Sequence, residues 1–243
     1  MFKVMILAAG KGERMRPLTD TCPKPLLQVG GKMLIEYHLE KLAQAGFTNV
    51  VINHAYLGSM IEAALQDGKR YGLHIHYSPE TLVLETAGGI ANALPLLTTP
   101  DKNQPFAAIN ADIFCDMDFS ILQPIMQQMQ SNPGKTLAHL ILVDNPPHHP
   151  EGDFFLHNDT GKLVESARPD CRKLTFSGIG VYHPVLFENV PPGRAEKLAP
   201  LLRQAIAAGK ATGSYFPGLW LDIGTPERLH QLDTTLNRSG RHT

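Results

Sequence analysis

An apolar run, Phe2-Lys3-Val4-Met5-Ile6-Leu7, passes without a break into Ala8-Ala9-Gly10-Lys11-Gly12-Glu13-Arg14-Met15-Arg16-Pro17-Leu18-Thr19. This junction constrains the fold more than any other stretch. A buried strand followed at once by glycines and basic side chains reads as an α/β unit with an anion cradle at the strand's carboxyl end. Glycines let the backbone turn its N–H groups toward an anion, and lysine and arginine add mobile positive charge. A second basic element, Pro23-Lys24-Pro25-Leu26, follows a few residues later. The pattern suits a triphosphate and excludes two better-known cradles. The dinucleotide fingerprint requires a third glycine where Met15 stands, and the Walker A loop requires a Gly-Lys-Ser/Thr that is absent.

Downstream, hydrophobic periodicity alternates between strand and helix. Residues 33–45 read as a helix with Leu34, Ile35, His38, Leu39 and Leu42 on one side, ended by Gly46. Residues 49–53 read as a buried strand, 57–65 as a helix, 73–77 as a strand, 87–97 as a helix and 106–109 as a strand. Helices of this length between strands favour a largely parallel sheet covered on both faces. The second half differs: a helix over 119–129, a long strand over 136–143, and shorter strands near 154–156, 162–165 and 174–182. Further helices are expected over 196–208 and 225–236. The run Asn145-Pro146-Pro147-His148-His149-Pro150-Glu151-Gly152 reads as a rigid, exposed loop. No composition break divides the 243 residues, so one domain is expected.

Bulk composition removes several function classes. With 43% hydrophobic and 19% charged residues, the chain is not of disordered type. A net charge of −1 argues against a nucleic-acid-binding surface, so the basic loop belongs to a small anionic ligand. Cys22, Cys115 and Cys171 form neither a metal-site spacing nor a disulfide framework, and read as reduced thiols. The first strand begins too early for a signal peptide, and no apolar stretch reaches the length of a membrane span. A soluble cytoplasmic protein without nucleic-acid or membrane partners is expected.

Ligands of open α/β sheets bind beyond the carboxyl ends of the strands. That sets the N-terminal loop beside Asn110-Ala111-Asp112, where Asp112 could hold Mg²⁺ against a triphosphate or simply cap a helix. A second carboxylate ends the strand in Leu219-Trp220-Leu221-Asp222-Ile223-Gly224-Thr225-Pro226, with Pro226 in the first turn of the next helix. Trp220, the sole tryptophan, reads as a core residue. His148 and His149 read as part of an exposed turn, with a metal role the lesser alternative.

LAAGKGERMRPLT, PKPL and WLDIGTP together resemble the signature of the sugar-phosphate nucleotidyltransferases, which join a nucleoside triphosphate to a sugar 1-phosphate and release pyrophosphate. The resemblance runs almost from end to end. It implies a single-domain Rossmann-like α/β fold with a mixed, mostly parallel central sheet and helices on both faces. Residues 1–115 would form a nucleotide-binding half and 116–243 a sugar-phosphate-binding half. The nucleotide would be held by Leu7, Ala8, Ala9, Gly10, Lys11, Gly12, Arg14, Lys24, Asn53, Glu80, Gly88 and Asn110. Arg14 would grip the leaving β- and γ-phosphates, and Lys24 the α-phosphate or the incoming sugar phosphate. Asp112 and Asp222 would share one Mg²⁺, completing the candidate catalytic set of Arg14, Lys24, Asp112 and Asp222. No covalent nucleophile is needed. Two phosphates repel, and unit charges about 4 Å apart interact by about 1 kcal/mol in water but about 4 kcal/mol near a protein surface. Alignment and charge neutralisation are therefore what the site must supply.

By the same resemblance, Glu80 faces the nucleobase. A carboxylate there accepts from uracil N3–H and pairs equally with guanine's donors, leaving UTP and GTP both open. In Leu84-Glu85-Thr86-Ala87-Gly88-Gly89-Ile90 the glycines would let base and sugar approach the backbone, or merely begin a helix. The sugar phosphate would meet Glu85, Gly89, Asp153, Glu165, Ser177, Gly178 and Lys197. One departure stands out: many relatives carry an E-K-P lysine for that phosphate, whereas this chain has Glu165-Ser166-Ala167-Arg168-Pro169. Arg168 or Lys197 is left for the role. Further stretches, among them LETAGG, LAPLLRQAIAAGK and WLDIGTPERL, are similar to the branch of the family that uridylylates N-acetylmuramate 1-phosphate in peptidoglycan recycling. Mannose or glucose 1-phosphate is the rival acceptor. A non-catalytic nucleotide sensor is the rival class, and the presence of both carboxylates counts against it. A monomer or small homo-oligomer is expected.

Overall fold

The computed structural model of the protein describes residues 1–100 and 103–239. Strand β1 (Val4–Leu7) leads through three single-turn 3-10 segments to the hairpin of β2 (Gln28–Val29) and β3 (Lys32–Met33), then to α1 (Leu34–Gln44). Next come β4 (Asn49–His54), α2 (Gly58–Leu65), β5 (His74–Pro79), α3 (Glu85–Leu97), β6 (Phe106–Asn110) and β7 (Ile113–Cys115). The second half holds α4 (Leu122–Ser131), β8 (Ala138–Val143), β9 (Phe154–His157), β10 (Leu163–Val164) and β11 (Cys171–Tyr182). It ends with α5 (Leu198–Ala207), β12 (Ala211–Tyr215), β13 (Trp220–Asp222) and α6 (Pro226–Ser239).

Among the described residues, nine strands join one sheet in the order β10-β9-β11-β6-β1-β4-β5, with β8 on β11 and β12 on β8. Its centre is parallel: β1 pairs with β4 and β6, and β4 with β5. Strand β11 then runs antiparallel to β6, β8 and β9, so the sheet is mixed as expected. The period of two along the strands sends alternate residues to opposite cores. Val4, Ile6, Val50, Ile52 and Ile109 pack with side chains of α1, α2 and α4 on one face. Met5, Val51 and Ala108 pack with α3 and α5 on the other. Helices thus cover both faces, which is why β1 and β4 are apolar without alternation.

A third, smaller core fixes the site. Leu229 and Leu232 of α6 pack with Met15, Leu27, Val29, Phe114 and Ile223, drawing the last helix onto the segment that follows β1. Gly30 N–H donates to Asp233 Oδ1 at 2.7 Å and ties the two further.

Some elements differ from expectation. The helix expected over 196–208 begins at Leu198, because the carbonyl of Glu196 accepts from Ala87 and Gly88 N–H at 2.9 and 3.1 Å. A 3-10 turn, Phe119–Ile121, precedes α4. Strand β12 has no counterpart in the sequence reading, since Ala-Thr-Gly-Ser-Tyr lacks apolar alternation. No helix among the described residues is long and apolar enough to cross a membrane.

Candidate active site

Leu7 is in register with Asn53 on one neighbour and Asn110 on the other, so three strands deliver their carboxyl ends to one edge. A cleft of about 780 Å³ lies there, lined by residues 7–15, Lys24, Asn53, Glu85, Thr86, Asn110 and Asp112, with Ala195 and Gly224 from the second half. Gly12 turns the loop with φ +65°, and its carbonyl accepts from Met15 N–H and Thr19 Oγ1, both at 2.8 Å. At Gly10 a Cβ would meet nothing within 4 Å, so the backbone there is open to a ligand.

A strand pair brings the backbones of Asp112 and Asp222 close together, with Asp112 on the cleft lining and Asp222 outside it. Strands β7 and β13 are antiparallel with Asp222 opposite Ile113, and Ile223 N–H donates to the carbonyl of Asp112 at 2.7 Å. Lys24, only 8% exposed, sets Nζ 2.7 Å from Asp112 Oδ2. Asp222 is gripped on both oxygens: His148 Nε2 lies 2.9 Å from Oδ1, and Arg228 Nη1 bonds Oδ2. Behind the strand end His38 is fully buried, and burial pushes its pKa down to about 4, so it stays neutral and adds no charge behind Asp112.

Asp112 and Asp222 fit a hard divalent cation. Such an ion takes one or two carboxylates and leaves its remaining positions to water and phosphate oxygens. Among the described residues no group of three or more His, Cys, Asp and Glu side chains gathers to hold a metal ion by itself.

His148 stands in an exposed turn, as expected, and from there reaches Asp222. Asn145 braces the loop, donating to Pro150 and Lys173 carbonyls at 3.1 and 3.2 Å and accepting from Thr175 Oγ1 at 2.9 Å. His149 Nε2 lies 3.0 Å from Asp153 Oδ1, and Asp153 Oδ2 accepts from Phe176 N–H at 2.8 Å. The loop is thereby held so that His148 reaches the edge of β13.

Other expected contacts lie elsewhere. Glu80 does not line the cleft: Oε1 accepts from Asn53 Nδ2 at 2.7 Å and Oε2 from Leu84 N–H at 3.0 Å. Asn53 Oδ1 in turn accepts from Ala8 N–H at 3.0 Å, so Glu80 supports the cradle from behind. Gly88 leaves room for the Arg194 carbonyl, not for a base. At Gly89 a Cβ would sit 2.7 Å from Glu80 Oε1. Ser177 is buried, donating to the Ile141 carbonyl at 2.7 Å, and Gly178, with φ +81°, makes room for Asn110. Asp153 holds the His149 loop. Glu165, Arg168 and Lys197 are exposed and do not line the cleft. Trp220 packs on the first core and donates to the Ser177 carbonyl at 2.9 Å, as a core residue should.

Arg228 is the residue that the sequence reading misses. Its signal was present in WLDIGTPERL: a residue in the first turn of a helix that starts four positions after Asp222 stays near that carboxylate.

The sequence model of the family described as "Nucleotidyl transferase" matches residues 3–239. The chain is 53% identical to the N-acetylmuramate alpha-1-phosphate uridylyltransferase of Neisseria meningitidis serogroup B over 94% of this chain and 96% of that protein. It is 32% identical to the protein of the same description from Caulobacter vibrioides, covering 92% of each. Among solved structures, a putative glucose-1-phosphate thymidylyltransferase from Bacillus anthracis superposes with a TM-score of 0.79 at 22% identity, over 97% of this chain and 95% of that one.

Proposed function

The chain belongs to the nucleotidyl transferase family, and from that premise we propose that it transfers a uridylyl group from UTP to N-acetylmuramate 1-phosphate. The products are UDP-N-acetylmuramate and pyrophosphate, an activated cell-wall sugar of the kind made in peptidoglycan recycling. An oxygen of the sugar phosphate attacks the α-phosphorus of UTP. The bond from that phosphorus to the bridging oxygen breaks, and its electron pair leaves with the pyrophosphate.

The observation that carries this reading is the pairing of β7 with β13, which brings the backbone that carries Asp222 against that of Asp112, itself on the lining of the glycine-rich cleft. Those two carboxylates would hold Mg²⁺, which when bound offsets negative charge on both phosphates. The remaining work falls to the chain. Residues 7–12 and Arg14, all on the cleft lining, bind the triphosphate, and Asn110, on the same lining, belongs to the nucleotide's contacts. Lys24, buried beside Asp112, carries positive charge to the α-phosphate, where charge builds as the two phosphates close. Glu85 is the expected sugar contact that lines the cleft, and His148 brings the acceptor loop to the same carboxylate. In this reading residues 1–115 take the nucleotide and 116–243 the acceptor. The free thiols of Cys22, Cys115 and Cys171 support a cytoplasmic setting.

The test follows a label. UTP carrying ³²P at the α-position, with N-acetylmuramate 1-phosphate and Mg²⁺, should give labelled nucleotide sugar and unlabelled pyrophosphate. Label in inorganic phosphate or UMP alone, with no nucleotide sugar, would refute the transfer.

A further inference from the structure

Two arginines from opposite ends of the chain converge over Gly224. This glycine lines the cleft, and the point its Cβ would occupy lies 3.1 Å from Arg228 Nη1 and 3.4 Å from Arg14 Nη1. The same point is 3.2 Å from Asp222 Oδ2. Arg228 is held in place at the start of α6, where its N–H donates to Thr225 Oγ1 at 3.5 Å and its guanidinium bonds Asp222. Its side chain is 22% exposed. Asp222 offsets one of the two positive charges, and Arg14 forms no ion pair among the described residues. Like charges brought this close at reduced dielectric call for an anion.

We propose that Arg228 joins Arg14 in a two-arginine clamp on the pyrophosphate end of the donor, an inference that rests on the nucleotidyl-transfer reading. Pyrophosphate carries several negative charges and paired oxygens, the geometry that a guanidinium fork matches bidentately. Arg14 belongs to the loop that leaves β1, so an arginine beside it meets the donor's phosphates first. A methyl group at Gly224 would press on both guanidinium groups, 3.1 Å from one and 3.4 Å from the other. Once the α-phosphorus bond breaks, the clamp keeps the charge of the leaving pyrophosphate neutralised.

Calorimetric titration of the full chain with inorganic pyrophosphate in Mg²⁺ tests the clamp without any turnover. Arg228→Gln should weaken binding by about ten- to a hundred-fold, the worth of a hydrogen bond between charged groups. Gly224→Ala should weaken it in the same direction, and Arg203→Gln, on the exposed face of α5, should not. A Mn²⁺ titration followed by electron paramagnetic resonance separates this from mere support of Asp222. Removing a cation beside a metal carboxylate should leave Mn²⁺ binding unchanged or tighter. Weaker Mn²⁺ binding by Arg228→Gln, or parental affinity for pyrophosphate, would overturn the clamp. So would an effect confined to the KM of the sugar phosphate. Failure of the underlying reading is distinct, since it shows as no α-label transfer by the parental protein.

Discussion

His148 Nε2 lies 2.9 Å from Asp222 Oδ1, so the proline-rich loop reaches the carboxylate at the end of β13. In the proposed reaction this contact would couple the acceptor to the metal position through one side chain. N-acetylmuramate differs from N-acetylglucosamine by a lactyl ether carrying a carboxylate, and a pocket that selects it needs space and a donor. His149 is engaged with Asp153, which leaves His148 as the loop histidine beside Asp222. His148→Ala should therefore raise the KM of the sugar phosphate by about tenfold, at 1.4 kcal/mol per factor of ten, while the KM of UTP stays within about twofold. Steady-state kinetics with each substrate varied in turn checks this. Unchanged acceptor KM would detach the loop from recognition.

Asp112→Asn and Asp222→Asn should each lower kcat by about 10²–10³-fold, the loss typical of removing one preorganised electrostatic group. Neither side chain belongs to a hydrophobic core, so far-ultraviolet circular dichroism should show both variants folded. Near-parental rates at saturating Mg²⁺ would remove that residue from the metal site.

Glu80 supports Asn53 and the Leu84 amide, and does not face the cleft. Glu80→Ala strands both donors and should cost about 1–3 kcal/mol of stability, read from denaturant unfolding. The KM values of UTP and GTP should then rise together, with their ratio unchanged. A shifted ratio would return Glu80 to the nucleobase.

His139 lies between Thr212 Oγ1 at 2.9 Å and Ser214 Oγ at 3.0 Å, and burial lowers its pKa from 6.5 to about 4. The unfolded chain binds the proton first, so the stability that neutral His139 contributes is complete above pH 6.5 and falls as pH drops toward 4. One such proton gives a slope of up to about 1.4 kcal/mol per pH unit. His38, shifted the same way, adds to it. Urea unfolding at steps between pH 7 and 4 should show a shallower slope for His139→Gln than for the parent. Identical slopes would mean that His139 is already protonated in the fold.

Much of this geometry is legible in the sequence. The cradle is legible because its signals are local: a buried strand, glycines and basic residues lie within one short stretch. Asp112 is legible because it follows β6 at the carboxyl edge of the sheet, and Asp222 because it ends a short strand just before a Gly-Thr-Pro turn into a helix. Register between distant strands is not legible. The β7–β13 pairing that brings the backbones of Asp112 and Asp222 together, and the reach of His148 to Asp222, depend on contacts between segments far apart in sequence. Gly88, Gly89 and Gly178 show a different shortfall. A glycine announces that something comes close, and here it is the Arg194 carbonyl, Glu80 and Asn110, where the sequence suggests a ligand. Ser177 likewise reads as a polar contact but closes a bulge in β11.

Pyrophosphate release measured for UTP, GTP, CTP and dTTP against N-acetylmuramate, N-acetylglucosamine, mannose and glucose 1-phosphates tests the proposed activity most directly. UTP with N-acetylmuramate 1-phosphate should lead, exceeding N-acetylglucosamine 1-phosphate by about ten- to a hundred-fold in kcat/KM. Equal rates for those two acceptors, or a preference for mannose 1-phosphate with GTP, would contradict it.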